Sequence, residues 1–204
     1  MTVIVDYGAG NLRSVQNTLD ELKAVYTVTD QASVIESASK LLLPGVGHFG
    51  QMMQAIDRLG IRSAILGTIR SGIPTLGICL GLQSFFESSE EAPDVAGFGL
   101  FRGAVKRFQA PNALNGKTYR IPHMGWNLLV PTRTCRLLGG LGNQSYAYFA
   151  NSYYVPVSDF TAATTDYIHP ITSVLELNNM YGIQCHPEKS GPVGLQVVRN
   201  FLDL

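Results

Sequence analysis

The chain has 204 residues, 15 Lys+Arg against 15 Asp+Glu and 46% hydrophobic residues, so its formal net charge is zero. That balance argues against a bulk electrostatic partner such as a nucleic acid or an anionic membrane, and no run of about 18 apolar residues exists to span a bilayer. The length fits a single domain over 1–204, and three cysteines (Cys79, Cys135, Cys185) are too few and odd in number for a disulfide framework.

The N-terminus, MTVIVDYGAG, lacks a signal peptide's charged start and longer apolar stretch. With the cysteine usage this makes a reducing, cytoplasmic setting the expectation. Val3–Val5 is a β-branched strand closed by Asp6-Tyr7-Gly8-Ala9-Gly10, and Asn11 stands at the N-cap of a helix bearing Leu12, Val15, Leu19 and Leu22 at helical spacing. Val25–Val28 reads as a second strand, Ser33–Ala38 as a short helix, and Leu41–Leu43 as a third strand stopped by Pro44-Gly45-Val46-Gly47. Gln51–Arg70 is mostly helical with a break near Gly60, Thr75–Ile78 is a strand and Leu80–Glu87 a helix. Alternating strands and helices, with the strands apolar throughout, predict a parallel sheet covered on both faces.

From Phe98 onward the texture changes. Phe101–Phe108, Tyr119–Ile121, Trp126–Val130, Tyr146–Tyr154, Ala162–Thr165, Ser173–Leu177 and Tyr181–Gln184 read as short strands between turns. Val193–Leu202 closes the chain as an amphipathic helix. The expected class is therefore α/β with a mixed sheet flanked by helices.

The segment Thr75–Gln83, TLGICLGLQ, places Cys79 between two glycines at a strand-to-helix junction. Gly-x-Cys-x-Gly there has the pattern of a nucleophile elbow: the turn is sharp, so the neighbours must be small, and the side chain emerges at a helix N-terminus that favours thiolate. On its own the pattern fits a small buried cysteine equally well. A nucleophilic cysteine needs a base, and the chain has four histidines. His186 lies in Tyr181–Glu188, YGIQCHPE, where an apolar strand ends and Pro187 turns the chain. Glu188, two residues on, can hold the far nitrogen of the imidazole, giving Cys, His and Glu in that order. Pro44–Gly47 ends the third strand, and its glycines let a backbone N–H point at a ligand, as an oxyanion donor must. Gln83 is one turn into the cysteine helix, within reach of a polar substrate.

Taken together, PGVG (44–47), GICLGLQ (77–83) and QCHPEKS (184–190) resemble the class I, triad-type glutamine amidotransferases. The likeness extends over nearly the whole chain. DYGAGNLRSV (6–15), LLLPGVGHFGQMM (41–53), RIPHMGWN (120–127) and YFANSYYV (148–155) further resemble the glutaminase subunits of bacterial two-chain imidazole glycerol phosphate synthases. The resemblance implies a flavodoxin-like mixed sheet and glutamine as substrate. It implies a thioester on Cys79, with His186 as base and then acid and Glu188 as its support. Gly45, Val46, Gly47 and the Leu80 amide would form the oxyanion hole. Gln83, Asn151, Ser152 and Tyr153 would hold the amino-acid end of glutamine.

The resemblance also implies that ammonia passes to a (βα)8-barrel cyclase subunit in a heterodimer of histidine biosynthesis. Asn11, Met124, Trp126, Tyr148 and Lys189 would face that subunit. An exposed Trp beside a Met is a fitting interface anchor; the competing reading is a core Trp126. Another amidotransferase's glutaminase, an autonomous cysteine amidase or gamma-glutamyl hydrolase, and a non-catalytic binding subunit are the alternatives. Without metal-ligand spacing or a dinucleotide fingerprint, no metal and no cofactor is expected. His48, His123 and His169 read as surface or structural residues, and Cys135 and Cys185 carry no assigned role.

Overall fold

The computed structural model describes residues 1–8, 11–109 and 118–204. Ala9 and Gly10 of the opening glycine turn lie outside the described residues. The first half alternates β1 (Thr2–Val5), α1 (Leu12–Glu21), β2 (Tyr26–Thr29), α2 (Ala32–Glu36) and β3 (Lys40–Gly45). It continues through α3 (Phe49–Arg58), α4 (Arg62–Arg70), β4 (Thr75–Cys79) and α5 (Leu80–Gln83). Strands then dominate: β5 (Phe86–Ser89), β6 (Phe101–Arg107), β7 (His123–Leu128), β8 (Val130–Pro131) and β9 (Tyr146–Asn151). After these come β10 (Tyr153–Tyr154), β11 (Thr161–Tyr167), β12 (His169–Leu177), β13 (Met180–Ile183) and the closing α6 (Gly191–Leu202).

The main sheet has the order β2-β1-β3-β4-β13-β12-β11-β8. From β2 to β13 neighbouring strands run parallel, and from β13 to β8 they pair antiparallel. The mixed sheet is as the sequence predicts. Strand parity sorts the core into two layers. Val3, Val5, Leu41 and Leu43 point to the side packed by Phe49, Met52, Met53 and Ile56 of α3 and by Ala64, Ile65 and Ile69 of α4. Ile4, Leu42, Leu76 and Ile78 point to the other, against Val15 and Leu19 of α1 and Val197, Val198 and Phe201 of α6. Successive side chains on a strand face opposite ways, so apolar residues at every position require helices on both faces.

Four local expectations need correction. β3 continues through Pro44 to Gly45, because both pair with β4 at Ile78 and Cys79. The helix expected over Leu80–Glu87 ends at Gln83, and Phe86–Ser89 instead pairs in parallel with β6. Tyr119–Ile121 is not a strand; pairing begins at His123, which stands opposite Asn151 in the β7–β9 ladder. Tyr146–Tyr154 is two strands, broken at Ser152, and they join different sheets.

Candidate active site

Three parallel strands deliver the site at their C-terminal ends. β4 is buried along its length and stops at Cys79, whose backbone takes φ 53, ψ −105. That left-handed conformation costs a non-glycine residue about 1–3 kcal/mol and persists only where packing enforces it. Packing does so here. A Cβ added to Gly77 would sit 2.6 Å from the Leu82 amide nitrogen, one on Gly45 2.5 Å from that of Gly81, and one on Gly81 would strike the Leu43 carbonyl. The strand-to-helix reversal thus fits only with glycine at those places. Since α5 is one turn long, the electrostatic help available to a thiolate is that of the first few amides rather than a long helix dipole.

β13 is the last strand in the chain yet inserts beside β4, pairing Ile183 with Ile78. Its continuation, Gln184–His186, therefore runs past Cys79. The His186 amide donates to the Tyr148 carbonyl (2.8 Å), and the Ser190 hydroxyl donates to the His186 carbonyl (2.6 Å) while accepting from the Tyr148 amide (2.9 Å). A 3-10 turn over Pro187–Lys189 then folds Glu188 back onto the ring, with Nδ1 of His186 2.9 Å from Glu188 Oε1. Both side chains are almost wholly buried. Burial pushes the His186 pKa down, but hydrogen bonds and charge interactions with Cys79 and Glu188 push it further up, to about 10. Glu188 thus holds one side of the imidazole, and the raised pKa favours the protonated ring.

Gly45 pairs with Cys79 across β3 and β4, so the Gly45–Gly47 loop lies against the cysteine. Gly47 has φ +104, a conformation that disfavours any side chain. A cavity of about 410 Å³ opens beside these groups. Cys79, His186, Val46, Gly47, Leu80, Gln83, Asn151, Ser152 and Tyr153 all line it. Gly45 lies under the wall and Glu188 behind His186, outside the lining itself. The Asn151 Nδ2 donates to the Tyr153 carbonyl (2.9 Å), leaving its buried Oδ1 without a partner.

Of the residues expected at a partner face, Asn11 and Lys189 reach the cavity rim. Met124 and Trp126 are 65% and 57% exposed, so Trp126 is not a core residue. Trp126 packs edge-on against Tyr148 (6.2 Å), and the Lys189 ammonium lies 5.7 Å from the Tyr148 ring centre.

Two residues at the site escape sequence reasoning. Glu91 lines the cavity, and its Oε2 accepts the Phe49 amide (2.7 Å) at the start of α3. Gln184 is fully buried and donates Nε2–H to Cys79 Sγ (3.5 Å). A polar residue in the apolar run YGIQC was its one sequence signal.

The other histidines and cysteines hold structure. His48 Nδ1 accepts the Gly50 amide (3.1 Å), capping α3. His123 is buried rather than at the surface, stacked between Tyr167 (3.9 Å) and Phe149 (4.8 Å), and burial pulls its pKa down to about 4. His169 packs on Tyr154. Burial pushes both the Cys135 and Cys185 thiols up to about 12, and Cys135 donates to Glu176 (3.0 Å). Among the described residues no group of His, Cys, Asp and Glu could hold a metal ion, and no helix is long and apolar enough to cross a membrane.

The profile described as Glutamine amidotransferase class-I matches residues 3–204. The chain is 45% identical to the imidazole glycerol phosphate synthase subunit HisH of Deinococcus radiodurans, over 98% of this chain and 91% of that protein. It is 43% identical to the subunit of the same name from Methanothermobacter thermautotrophicus, over 100% and 98%. Among solved structures, a glutamine amidotransferase superposes with a TM-score of 0.74 at 18% identity, covering 98% of this chain and 97% of that one. A putative GMP synthase protein from Thermoplasma acidophilum superposes with a TM-score of 0.69 at 18% identity, covering 100% and 92%. At that identity these two structures speak to the fold.

Proposed function

Because the chain belongs to the class-I glutamine amidotransferase family, we infer that it is the glutaminase subunit of an imidazole glycerol phosphate synthase, acting in histidine biosynthesis in the cytoplasm. The observation that supports the chemistry best is the Cys79–His186–Glu188 line at the cavity wall, with Glu188 2.9 Å behind the imidazole. Glutamine enters the cavity with its side-chain amide at Cys79. The sulfur attacks the amide carbon, a tetrahedral oxyanion forms, and His186 gives its proton to the departing nitrogen. Ammonia leaves, a glutamyl thioester remains, and water activated by His186 hydrolyses it to glutamate and free thiol. Glu188 keeps the imidazole oriented and stabilises its charged form.

Amides of the Gly45–Gly47 loop and of Leu80 receive the oxyanion. Gln83, Asn151, Ser152 and Tyr153 bind the amino-acid end. Glu91 supplies the negative charge that an α-ammonium group requires.

Ammonia is passed to a (βα)8-barrel cyclase subunit, docked on Met124, Trp126, Tyr148, Asn11 and Lys189. The decisive experiment replaces Cys79 with Ala and assays the two-subunit enzyme with glutamine and with ammonia. Loss of glutamine-dependent synthesis with ammonia-dependent synthesis intact is the expected result. Glutamine-dependent synthesis that survives removes Cys79 from the chemistry. Glutamine hydrolysis by the wild-type chain alone that the cyclase leaves unchanged would move the protein to the autonomous amidases.

A further inference from the structure

Gln184 is fully buried at the end of β13, two residues before His186 and 105 residues from Cys79 in sequence. Its side-chain amide has two different ends, and which end faces the sulfur decides what it does. The neighbours settle the orientation. The Tyr153 carbonyl can only accept, so the group of Gln83 that lies 3.0 Å from it is the amino group, Nε2. The same Nε2 lies 3.0 Å from Gln184, whose facing atom must then be the acceptor Oε1. The amino end of Gln184 is left toward Cys79, with Nε2 3.5 Å from Sγ. A backbone carbonyl on β10 thereby fixes, through two amides, a hydrogen-bond donor on the sulfur.

The geometry points to Gln184 as a positioning residue for the nucleophile: its Nε2–H, oriented by the Tyr153 carbonyl through Gln83, holds the Cys79 sulfur and favours its anionic form. The donor is buried, so water cannot substitute for it, and a hydrogen bond to a charged acceptor is stronger than one to a neutral acceptor. The relay also uses both N–H groups of Gln83 inside the protein. Only the Gln83 oxygen is then left for a ligand, so the cavity meets an acceptor at that point. The inference rests on Cys79 being the nucleophile, as proposed above.

The test uses the full chain with Gln184→Met, which keeps the volume and loses the donor, and Gln184→Glu, which keeps the shape and puts acceptors against the sulfur. Iodoacetamide labelling of Cys79 is followed by peptide mass spectrometry from pH 6 to pH 10. In both variants labelling at pH 7 is expected to slow about tenfold or more, with the deficit closing toward pH 10. Gln83→Met is expected to give part of the same deficit, because Gln184 loses its orienting donor. A folded Gln184→Met chain that labels at the wild-type rate throughout overturns the proposal, as does a deficit that does not depend on pH. If neither Gln184 variant folds, the side-chain amide protons of Gln184 are observed in 15N-labelled wild-type chain and in Cys79→Ser. Displacement on losing the sulfur supports the bond, and unmoved resonances overturn it. Glutamine hydrolysis that survives in Cys79→Ala would sink the nucleophile assignment instead, a result separate from either labelling outcome.

Discussion

His186 is held by opposing influences, and their balance has a consequence for stability. Burial favours the neutral ring; Cys79 and Glu188 favour the charged ring and win, raising the pKa to about 10. An unfolded histidine titrates near 6.5. Because the folded value is the higher one, the folded chain binds the proton more tightly. The resulting stabilisation is fully present below about pH 6.5 and is lost as pH rises through about 10. Urea unfolding should therefore show a decline in stability across that alkaline window. In Glu188→Gln the carboxylate's share of the pull is gone, so the decline should be smaller and the gap to wild type should narrow as pH rises. Glutamine hydrolysis by the same variant should drop by about four orders of magnitude, the scale seen when a triad carboxylate becomes an amide. A gap that stays constant from pH 6.5 to 10.5 would remove Glu188 from the support of His186. These residues were legible in the sequence because each sits at a strand end beside its own punctuation, glycine around Cys79 and proline after His186. Gln184 and Glu91 were not, since their partners are 101 and 42 residues away in the chain.

At the scale of elements, the elbow shows how tertiary pairing overrides local periodicity. The run after Cys79 reads as two turns of helix, but Phe86 leaves it to stack on Phe101 (5.5 Å) and meet Phe160 edge-on (5.4 Å). Burial of aromatic rings in a cluster outweighs a few tenths of a kcal/mol of helix propensity per residue. What the sequence did disclose was the need for small residues on both sides of Cys79, since two backbones meet there. Gly81→Ala tests that contact. Its methyl would collide with the Leu43 carbonyl, a backbone atom of a central strand that cannot rotate aside. The expected cost is about 3 kcal/mol, at the upper end for overpacking. A lower urea midpoint with an unchanged slope is the reading that fits. An unaltered midpoint would mean that the helix and β3 are not in contact as described.

For the molecule as a whole, the alternation of strands and helices made the class readable, whereas the insertion of β13 beside β4 was not readable, because no local pattern specifies which strand a late segment joins. That insertion brings Cys79 and His186 together, and it ties the site to the β7–β9 ladder through the His186–Tyr148 bond. The ladder has two sides. His123 turns inward between Tyr167 and Phe149, while Met124 and Trp126 turn outward. Across the ladder Trp126 stands opposite Tyr148 and Met124 opposite Ala150, and Ala150 lines the cavity, so the outward face runs into the cavity wall. A partner seated on Trp126 would thereby be in mechanical contact with the groups that line the cavity, and association and catalysis should be separable at this residue. Trp126→Ala should leave the unfolding free energy of the lone chain within about 0.5 kcal/mol of wild type, as expected for an exposed side chain. Affinity for the cyclase subunit should fall by about 2–4 kcal/mol, the cost of removing an aromatic anchor, measured by titration calorimetry. Unchanged affinity would place the partner on another face, and a large loss of stability would show that Trp126 serves the fold of the ladder rather than the contact.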